Sequence, residues 1–505
     1  MSRWVPHVPA AVSLRRLFPS ASFVGCGDIV VLHATDRSGD CRPQSLFAAI
    51  RGPRHDGHNY IAEAISHGAK ALLVDRPQPN VNVLQCIVPD VRRAYAELCA
   101  AIMSHPCRQL ALAGVTGTNG KTTTSWLIRS ILKAAGQQTG LLGTIEYHDG
   151  IRAEAAALTT PDSSSFADWL RRMVVQGTTH AAMELSSHSL DQRRTAGTLL
   201  DAAVITNITQ DHFDYHGTYE NYRRSKLRIF DCLKPAGMAI VNADDPGSRS
   251  CIEDAPKRVL SFGMDEPADV QAMIQEETLE GSRFRLRIGV ESCDVQTHLI
   301  GRHNISNCLA AAAVAAHLDV SLAEIAEGIE SLTRVPGRMD AVGHGACGTV
   351  FIDFAHTPDA LNRAVQTLKP LTTGRVFCVF GAGGDRDKTK RPLMGKAASA
   401  ADVVVVTSDN PRSEDPAEIA REIVAGCDEW QSQLPRVELN REAAIHWALS
   451  NARPEDTVLI AGKGHETEQI CGTTRTHFDD REVVEDFLKS RSIISAPHGL
   501  RRVHV

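Results

Sequence analysis

The sequence predicts an α/β protein of three domains with parallel, doubly wound sheets. Three observations lead to this prediction: the length of the chain, a strand–glycine loop–helix pattern that begins at residue 110, and an apolar pattern that occurs four times after residue 334. A chain of 505 residues is too long for one ordinary domain and corresponds to about three. We therefore expect an N-terminal domain at 1–109, a central domain at 110–333 and a C-terminal domain at 334–505.

The composition limits the classes of function that the chain can have. Hydrophobic residues make up 43% and charged residues 23% of the sequence, which is ordinary for a globular protein. The formal net charge of −6 argues against a protein that holds nucleic acid by bulk electrostatics. The 13 cysteines include no Cys-x-x-Cys pair and no zinc-ligand spacing, so we expect reduced thiols.

The sequence predicts neither a membrane span nor a secretory signal. No apolar run approaches the roughly 18 residues that a span requires. His7 and Pro9 interrupt the apolar stretch at the N-terminus, which makes it a poor signal peptide. We therefore expect a cytoplasmic protein.

The first predicted domain alternates short apolar runs with polar turns. Ile29–Leu32 and Ala71–Val74 are such runs, and they predict buried strands. At the far end of the central domain, proline and glycine interrupt the preceding helical pattern in the segment Arg334–Arg338. We expect this segment to link the second and third domains.

The strongest motif is the segment Gly114–Thr123, which reads Gly-Val-Thr-Gly-Thr-Asn-Gly-Lys-Thr-Thr. It follows the apolar run Leu110–Ala113 and precedes a helical pattern that ends near Gly136. A strand, a glycine loop, a Lys-Thr pair and a helix form a phosphate cradle, in which Lys121 supplies positive charge and Thr122 can bind magnesium. The central domain is therefore expected to be of the P-loop ATPase type. Five residues rather than the usual four separate the first glycine from the Gly-Lys pair, and a glycine-rich turn with a surface lysine is the alternative.

Two further predicted strands lead to residues that suit a metal ion. The strand 180–184 ends at Glu184, and the strand 202–206 precedes His212. Strand order could bring both ends beside the phosphate loop, where a carboxylate and a neutral imidazole suit magnesium. A salt-bridged surface carboxylate is the alternative for Glu184. Lys226 lies in a basic segment for which the residues by themselves predict only a solvated helix face.

The C-terminal third repeats a short apolar run followed by polar residues. Such runs predict buried parallel strands, and helix-like stretches at 413–427 and 440–450 lie between them. The arrangement predicts a Rossmann-like doubly wound sheet, which binds ligands beyond the carboxyl ends of its strands. The runs and the motifs after them are 349–352 before Asp353–Thr357, 376–380 before Gly381–Arg386, 403–406 before Thr407–Arg412, and 457–460 before Ala461–Glu466.

Further motifs accompany the phosphate loop over residues 110–466. They are Leu158–Pro161, Met183–Leu190, Asp211–Gly217, Ser225–Arg228, Gly301–Asn304, Val335–Arg338, Asp353–Pro358 and Gly462–Glu466. Folylpolyglutamate synthases share the loop, but the whole set resembles the Mur ligase family, and within it the members that form the muramoyl tripeptide.

The resemblance implies an ATP-dependent ligase of peptidoglycan precursor synthesis that joins an amino acid to UDP-N-acetylmuramoyl-L-alanyl-D-glutamate. In the implied mechanism ATP phosphorylates the D-glutamate γ-carboxylate, the incoming amine attacks the acyl phosphate, and phosphate leaves a tetrahedral intermediate. The implied cofactors are ATP, Mg²⁺ and carbon dioxide, the last as a carbamate on Lys226. An uncharged lysine amine can capture carbon dioxide, and the resulting anion can hold a second magnesium ion. We expect no nucleic-acid partner, no membrane span and a monomer.

The resemblance also assigns residues to the ligands. Catalysis is assigned to Lys121, Glu184, His212 and Lys226, and metal binding to Thr122, Glu184, His212 and carbamylated Lys226. ATP binding is assigned to Gly117, Thr118, Asn119, Gly120, Lys121, Thr122, Thr123, Asn304, Arg338 and Asp353. Binding of the UDP-muramoyl dipeptide is assigned to Ser38, Thr159, Thr160, Ser186, Gln192 and Arg194.

The N-terminal segment departs from the family pattern. The family shows Asp-Ser-Arg a few residues before Leu-Phe. Here Asp36 and Leu46-Phe47 are present, but the serine is displaced to Ser38 and one residue is inserted. The expected uridine contact at Ser38 therefore rests on a displaced motif. The later segment Gly52–Gly57 resembles the family again.

The tetrapeptide Asp409–Arg412 determines the expected amino acid. It resembles the form that selects meso-diaminopimelate, and lysine-adding members differ there. Diaminopimelate carries an ammonium and a carboxylate at its far end, and a guanidinium can hold a carboxylate through two parallel hydrogen bonds. The expected contacts are Arg386, Asp409, Asn410, Pro411, Arg412, Gly462 and Glu466.

Other interpretations of the sequence are a ligase of the same kind that uses L-lysine, a folylpolyglutamate synthase-like ligase, and a P-loop switch or motor. Ser186–Leu190 and the Asp-Asn-Pro-Arg motif argue against the second. The strand-end motifs of the third domain argue against a switch, which needs no second substrate site. For Asp409–Arg412 itself, the alternative is an Asn-Pro turn in which Arg412 caps a neighbouring carboxylate.

Overall fold

The computed structural model divides the chain into two compact units. The first comprises residues up to Ala272, together with Leu286–Cys293 and Ser306–Ile329. The second comprises Met273–Arg285, Asp294–Ile305 and the residues from Glu330 onward. The described residues are 10–25, 27–52, 55–209, 211, 213–256, 258–345, 347–427 and 434–494.

The N-terminal part of the first unit is a small sheet with helices. Its strands are β1 (Val12–Ser13), β2 (Ser22–Val24), β3 (Val30–Val31), β4 (Ala34–Thr35), β5 (Ser45–Ala48), β6 (Ala69–Val74) and β7 (Leu84–Ile87). Its helices are α1 (Leu14–Leu17), α2 (Ile61–Ser66) and α3 (Val91–Ile102). The strand order is β2-β7-β6-β5-β4, and β1 pairs with β3 outside this sheet. The predicted strand at Ala71–Val74 is confirmed within β6, whereas only Val30–Val31 of the run Ile29–Leu32 is a strand.

The central part contains the strands of the large sheet and the helices that connect them. The strands are β8 (Ala111–Thr116), β9 (Thr139–Leu142), β10 (Glu146–His148), β11 (Ala153–Ala155), β12 (His180–Glu184), β13 (Leu200–Ile205), β14 (Leu233–Asn242), β15 (Val259–Gly263), β16 (Val270–Thr278), β17 (Gly281–Ile288) and β18 (Glu291–Thr297). The helices are α4 (Lys121–Ala134), α5 (Ser163–Val175), α6 (Ser187–Asp191), α7 (Phe213–His216), α8 (Tyr219–Leu227), α9 (Pro246–Arg249), α10 (Arg302–His317) and α11 (Leu322–Glu330).

Strand β8 lies between β12 and β13 in the central sheet, and all three strands are parallel. Glu184 pairs with Val115, and Ile205 pairs with Thr116, so the three strands end at one edge. Leu112 and Val115 are fully buried, as expected for a parallel strand covered on both faces. The phosphate loop after β8, Glu184 at the end of β12 and the segment after β13 therefore meet at this edge.

The second unit contains the predicted doubly wound sheet. Its strands are β19 (Asp340–Gly345), β20 (Gly348–Asp353), β21 (Val376–Phe380), β22 (Val403–Val406), β23 (Arg436–Val437), β24 (Thr457–Ala461), β25 (Glu468–Cys471) and β26 (Thr474–His477). Its helices are α12 (Pro358–Leu368), α13 (Lys390–Ala398), α14 (Pro416–Val424), α15 (Arg441–Asn451) and α16 (Asp480–Ile494). The strand order is β19-β20-β24-β21-β22-β23, and only the β19–β20 pair is antiparallel within this sheet of described residues.

The four apolar runs of the C-terminal third are confirmed as β20, β21, β22 and β24. Alternate residues of these strands pack into two different cores, because both faces of the sheet are covered by helices. Phe351 and Phe380 lie in one core, and Ile352 and Phe377 lie in the other. Burial on both faces is the physical reason for continuous rather than alternating apolar runs.

The helix-like stretches 413–427 and 440–450 are confirmed as α14 and α15. Helix α14 is shorter than its predicted stretch at both ends, and α15 is shifted by one residue towards the C-terminus. Asp415 accepts a hydrogen bond from the Ala417 amide, and Pro416 occupies the first turn, so α14 begins three residues later than the pattern. The predicted linker Arg334–Arg338 contains no helix or strand. The α/β class and the doubly wound sheet of the C-terminal third are as predicted, while the domain boundaries themselves remain predictions.

A fully buried ion pair joins α15 and α16 in the second unit. The Arg441 and Asp480 side chains are both 0% exposed and form two hydrogen bonds of 2.7 Å. The same guanidinium donates to the Ala461 carbonyl at 3.0 Å and to the Ser408 carbonyl at 3.4 Å. Arg441 therefore fixes the carboxyl ends of β24 and β22, which lead into the motifs Ala461–Glu466 and Thr407–Arg412.

Replacing Asp480 with alanine is expected to lower the stability of the second unit by about 3–5 kcal/mol, because the Arg441 charge would stay buried without its anion. The measurement is native-state hydrogen exchange of the β22 and β24 amides, which reports the opening free energy of this unit. Asp486→Ala is the control, since Asp486 and its partner Lys489 are 76% and 68% exposed and such pairs contribute about 0–1 kcal/mol. Equal protection in both variants would contradict the assignment of a stabilising buried pair.

Candidate active site

The phosphate loop is shaped by two glycines that have no room for a side chain. Gly117 has a φ of +150°, and a Cβ atom there would lie 1.8 Å from Thr206 Oγ1. Gly120 has a φ of +85°, and its Cβ would lie 2.4 Å from Asn307 Oδ1. Larger residues would move the loop away from its neighbours. The predicted strand, glycine loop and helix are thus present as β8, residues 117–120 and α4.

The loop is held by the segment that follows β13. The Thr118 amide donates to the Asn207 carbonyl at 2.9 Å, and the Asn119 amide donates to Asn207 Oδ1 at 2.9 Å. Thr206 Oγ1 donates to the Asn119 carbonyl at 2.6 Å. These bonds connect residues about 90 positions apart, so a segment distant in sequence holds the loop conformation.

Lys121 is half-buried at the start of α4 rather than a free surface lysine. Its Nζ donates to the Gly117 carbonyl at 2.8 Å and to the Thr118 carbonyl at 2.9 Å. The ammonium group therefore lies over the loop, within reach of phosphate oxygens held by the loop amides. The alternative of a plain glycine turn with a surface lysine does not fit this geometry.

Glu184 is buried beside the phosphate loop. Glu184 is 1% exposed, which excludes the alternative of a surface carboxylate. Thr122 Oγ1 donates to Glu184 Oε2 at 3.0 Å, and Thr144 donates through its amide at 2.7 Å and its hydroxyl at 2.9 Å. A Cβ on Gly143 would lie 2.4 Å from Glu184 Oε1, so the loop around Gly143 cradles this carboxylate. A threonine hydroxyl and a carboxylate are both oxygen ligands of the kind that magnesium prefers.

Lys226 is the largest departure from what its local sequence predicts. The solvated-face interpretation is wrong for this residue, because Lys226 on α8 is only 1% exposed. Its Nζ lies 4.4 Å from the centre of the Tyr222 ring. Burial and the nearby charge of Lys121 lower the pKa of Lys226 well below its ordinary value. Both causes favour the uncharged amine that a carbamate requires.

The remaining metal assignment cannot be placed. His212 lies outside the described residues. Among the residues that the structure describes, no group of three or more His, Cys, Asp or Glu side chains could hold a metal ion by itself. Of the four residues assigned to metal binding, the structure thus describes Thr122, Glu184 and Lys226.

Five of the six residues assigned to the UDP-muramoyl dipeptide lie together at the edge that carries Glu184. Thr160 Oγ1 donates to the Glu184 carbonyl at 2.7 Å and accepts from the Ser186 amide at 3.1 Å. Arg194 donates to the Thr160 carbonyl at 3.0 Å and to Gln192 Oε1 at 2.8 Å. Thr159 joins the group, since its hydroxyl lies 3.2 Å from Thr144 Oγ1.

Ser38 is not part of that group. It lies near the N-terminal sheet, where its hydroxyl donates to Glu63 Oε2 at 2.7 Å. The structure therefore gives the displaced N-terminal serine a local partner within its own sheet region.

The three other residues assigned to ATP belong to the second unit. Asn304 is 3% exposed, and its side-chain amide donates to the Ile300 carbonyl at 2.9 Å. The Arg338 guanidinium lies 4.5 Å from the centre of the Phe354 ring. Asp353 accepts from the Met339 amide at 2.7 Å and the Ala355 amide at 2.8 Å. Burial raises the pKa of Asp353, and the Arg338 charge opposes that rise.

The residues assigned to diaminopimelate converge at the carboxyl ends of β21, β22 and β24. Asn410 Nδ2 donates to Glu466 Oε2 at 2.8 Å. Arg412 Nη1 donates to the Gly384 carbonyl at 2.8 Å, which brings the second and third strand-end motifs together. A Cβ on Gly462 would lie 2.7 Å from Asp409 Oδ2, so the fourth motif packs against them. Arg386 is exposed and donates to the Asp385 carbonyl at 3.2 Å. Pro411 is buried between these residues.

Sequence reasoning missed Lys463, which lies inside this cluster. It is 0% exposed and donates to Asn410 Oδ1 at 3.2 Å and to the Glu468 carbonyl at 2.6 Å. Its Nζ lies 3.7 Å from Glu466 Oε2. Burial and the Asp409 charge raise the pKa of Glu466, while Lys463 opposes that rise. The motif Gly462–Glu466 contained the residue, but a lysine between two glycines carries no local signal of burial.

The hairpin β25–β26 was also not predicted, and it packs on the tetrapeptide Asp409–Arg412. Gln469 Nε2 donates to the Asp409 carbonyl at 2.9 Å, and the Ile470 amide donates to Asn410 Oδ1 at 3.0 Å. The Arg412 amide donates to the Ile470 carbonyl at 3.0 Å. The hairpin thus holds the Asn-Pro turn in place, and the Arg412 guanidinium donates to the Gly384 carbonyl.

Comparisons with known proteins agree with this architecture. The Mur ligase family, catalytic domain, matches residues 37–106, the Mur ligase middle domain matches residues 115–315, and the Mur ligase, glutamate ligase domain, matches residues 337–464. A protein of Geobacillus thermodenitrificans named UDP-N-acetylmuramoyl-L-alanyl-D-glutamate–2,6-diaminopimelate ligase is 42% identical over 474 residues, covering 92% of this chain and 96% of that protein.

Two further relatives carry the same name. The protein of Caldanaerobacter subterraneus subsp. tengcongensis is 40% identical over 463 residues, with 90% of this chain and 95% of that protein covered. A solved structure of a protein so named is 30% identical, has a TM-score of 0.69, and covers 96% of this chain and 100% of its own. With full-length relatives of this identity and three matching domains, the chain belongs to the Mur ligase family.

Proposed function

We propose that this chain is an ATP-dependent ligase that adds meso-diaminopimelate to UDP-N-acetylmuramoyl-L-alanyl-D-glutamate in peptidoglycan precursor synthesis. The observation that carries the proposal is the meeting of the phosphate loop, the buried Thr122–Glu184 pair and the Thr160–Arg194 group at one edge of the central sheet. Nucleotide phosphates and the acceptor carboxylate can be held side by side there. The names of the full-length relatives support the choice of substrates.

The reaction proceeds in two steps. The γ-carboxylate oxygen of the D-glutamate residue attacks the γ-phosphorus of ATP, the bond to the bridging oxygen breaks, and ADP leaves. The amine of diaminopimelate then attacks the acyl phosphate carbon and loses a proton, and phosphate leaves to give the new amide. The loop amides and Lys121 hold the phosphates in line, and Arg194 with Thr160 orients the acceptor.

The residues at this edge fit magnesium. The Thr122 hydroxyl and the Glu184 carboxylate are the oxygen ligands that would hold it, and the donors of Thr144 and the space at Gly143 orient that carboxylate. Magnesium supplies positive charge where negative charge develops on the phosphates. Lys226 fits the role of a carbamate, because its buried amine can attack carbon dioxide and lose a proton to leave one negative charge.

The second unit supplies the amino-acid site. Arg412 and Arg386 are the cations for the distal carboxylate of diaminopimelate, and Asp409 or Glu466 can accept from its distal ammonium. Lys463 and the hairpin β25–β26 fix Asn410 and thereby the turn that carries Arg412. Discrimination against lysine follows from the cations, which only diaminopimelate can neutralise.

A coupled phosphate-release assay over a panel of amino acids tests the proposal. We expect release to require ATP, magnesium, the UDP-muramoyl dipeptide and diaminopimelate together. Release with lysine in place of diaminopimelate would support the lysine-adding alternative, and release with a folate and glutamate would support the synthase-like one. No helix among the described residues is long and apolar enough to cross a membrane, while the cytoplasmic location and monomeric state remain predictions.

Lys226 provides a prediction that is independent of the phosphate loop. Lys226→Ala and Lys226→Arg are both expected to lower turnover by at least about 10²-fold, because alanine lacks the carbamate and arginine places the wrong sign of charge in the site. In the wild type supplied with ¹³C-labelled carbon dioxide, NMR should show a carbamate carbon that disappears in Lys226→Ala.

The control for this experiment is Arg224→Ala on the same helix, where Arg224 is exposed. That variant should keep both the activity and the labelled signal. A wild-type spectrum without any carbamate signal, or full activity of Lys226→Arg, would contradict the modification.

A further inference from the structure

Two strand-end loops of the second unit contain non-glycine residues in the left-handed region. Asp385, in the loop after β21, has a φ of +54°, and Arg412, in the loop after β22, has a φ of +51°. Such backbone conformations are unfavourable for residues with a Cβ atom and persist where surrounding contacts impose them. Each loop also carries one of the arginines assigned to the distal carboxylate, Arg386 and Arg412.

The two loops contact each other directly. The Gly384 amide donates to the Asn410 carbonyl at 2.9 Å, and Arg412 Nη1 donates back to the Gly384 carbonyl at 2.8 Å. Ser413 Oγ donates to Asp385 Oδ1 at 2.6 Å. A Cβ on Gly384 would lie 1.8 Å from the Pro411 carbonyl oxygen. The position of either arginine therefore depends on the other loop.

Glu414 connects both loops to the body of the unit. It follows Arg412 by two residues, and its Oε1 accepts from the Asp385 amide at 2.6 Å. Its two oxygens also accept from Arg391 at 2.9 and 3.0 Å, and Lys388 Nζ lies 2.8 Å from Oε2. These hydrogen bonds hold the pKa of Glu414 at about 2, so the carboxylate stays charged at any ordinary pH.

Arg391 is the anchor for Glu414. It lies on α13, its side chain is 0% exposed, and it forms a second ion pair of 2.8 Å with Glu422 on α14. Glu414 accepts directly from the Asp385 amide of the loop after β21, whereas Glu422 lies on α14 and accepts from Arg391. The two carboxylates thus share one arginine but differ in their connection to the loops.

We propose that Glu414 is a positioning residue for amino-acid selection, which holds the loops after β21 and β22 so that Arg386 and Arg412 face one carboxylate. The inference rests on the proposed function, since it concerns the same amino-acid site. Glu414 itself touches no substrate in this proposal. It acts by fixing two strained loops against each other through a buried arginine.

The test compares Glu414→Ala with Glu422→Ala by two measurements. The first is kcat/KM for diaminopimelate and for L-lysine in the phosphate-release assay. Glu414→Ala should lower the value for diaminopimelate by about 10²-fold, mainly through KM, because misplacement by about 1 Å has an effect of this size. The value for lysine should change little, since lysine has no distal carboxylate. Glu422→Ala should leave both values and their ratio unchanged.

The second measurement is hydrogen exchange of the loop peptides, which does not depend on activity. Glu414→Ala should speed exchange at residues 383–387 and leave the β24 peptide protected, while Glu422→Ala should do neither. Glu414→Gln should fall between wild type and alanine, because one side-chain oxygen remains for the Asp385 amide but the charge pairing with Arg391 is lost.

The outcomes separate this inference from the proposed function. A wild-type enzyme without diaminopimelate-dependent phosphate release would overturn the proposed function, and the exchange data would still decide whether Glu414 holds the loops. Unchanged exchange, equal losses for both amino acids, or equal effects of Glu414→Ala and Glu422→Ala would overturn the positioning role.

Discussion

Lys121→Ala is expected to lower phosphate release by at least about 10³-fold, since charge stabilisation of the transferred phosphoryl group is the main catalytic contribution in such sites. The Lys121 ammonium lies over the loop carbonyls of Gly117 and Thr118, at 2.8 and 2.9 Å. Bound phosphates would draw it towards the β and γ oxygens. Alanine cannot supply that charge, whereas the loop amides and the strand remain.

The fold should survive this substitution, because alanine is a strong helix former and Lys121 begins α4. Circular dichroism and the thermal midpoint serve as checks on the fold. Lys133→Ala is the matched control, since Lys133 is exposed near the other end of the same helix. Normal turnover of Lys121→Ala, measured with saturating ATP, would refute the assignment of the phosphate loop.

Arg412→Ala is expected to abolish the preference for diaminopimelate over L-lysine. A site built around a carboxylate–guanidinium pair can discriminate by roughly 10⁴-fold, because a substrate without the carboxylate leaves the cation unneutralised. Arg412 is half-buried, so it has limited access to water as a substitute partner. Its removal should mainly lower kcat/KM for diaminopimelate, with a smaller change for lysine.

The measurement is the ratio of kcat/KM for the two amino acids in wild type and variant. Arg386→Ala should reduce the ratio less than Arg412→Ala, because Arg386 is exposed and makes a weaker contribution in water. Arg421→Ala is the control, as that side chain on α14 is 72% exposed. A wild-type enzyme that uses lysine as well as diaminopimelate would show that the proposed clamp does not select the substrate.

Several features could be predicted from the sequence because their signals are local. The phosphate loop needs glycines at fixed positions between a strand and a helix, and Gly117 and Gly120 have no space for a side chain. The four apolar runs of the C-terminal third are buried on both faces, which leaves a continuous pattern in the sequence. Polar motifs after these strands indicated the edge at which ligands are expected, since parallel strands end at one edge.

The sequence by itself therefore determined the α/β class, the phosphate loop, the four apolar strands of the C-terminal third and the edges where ligands are expected. Only the tertiary structure decided that Lys226 is buried, that Glu184 meets Thr122 and Thr144, and that Lys463 lies among the residues assigned to diaminopimelate. The physical reason is that these side chains are buried and bonded by residues far away in the sequence. Glu184, for example, accepts hydrogen bonds from residues 40 and 62 positions before it. Periodicity reports the environment of a backbone segment, whereas a single charged side chain takes its environment from whatever segment packs against it.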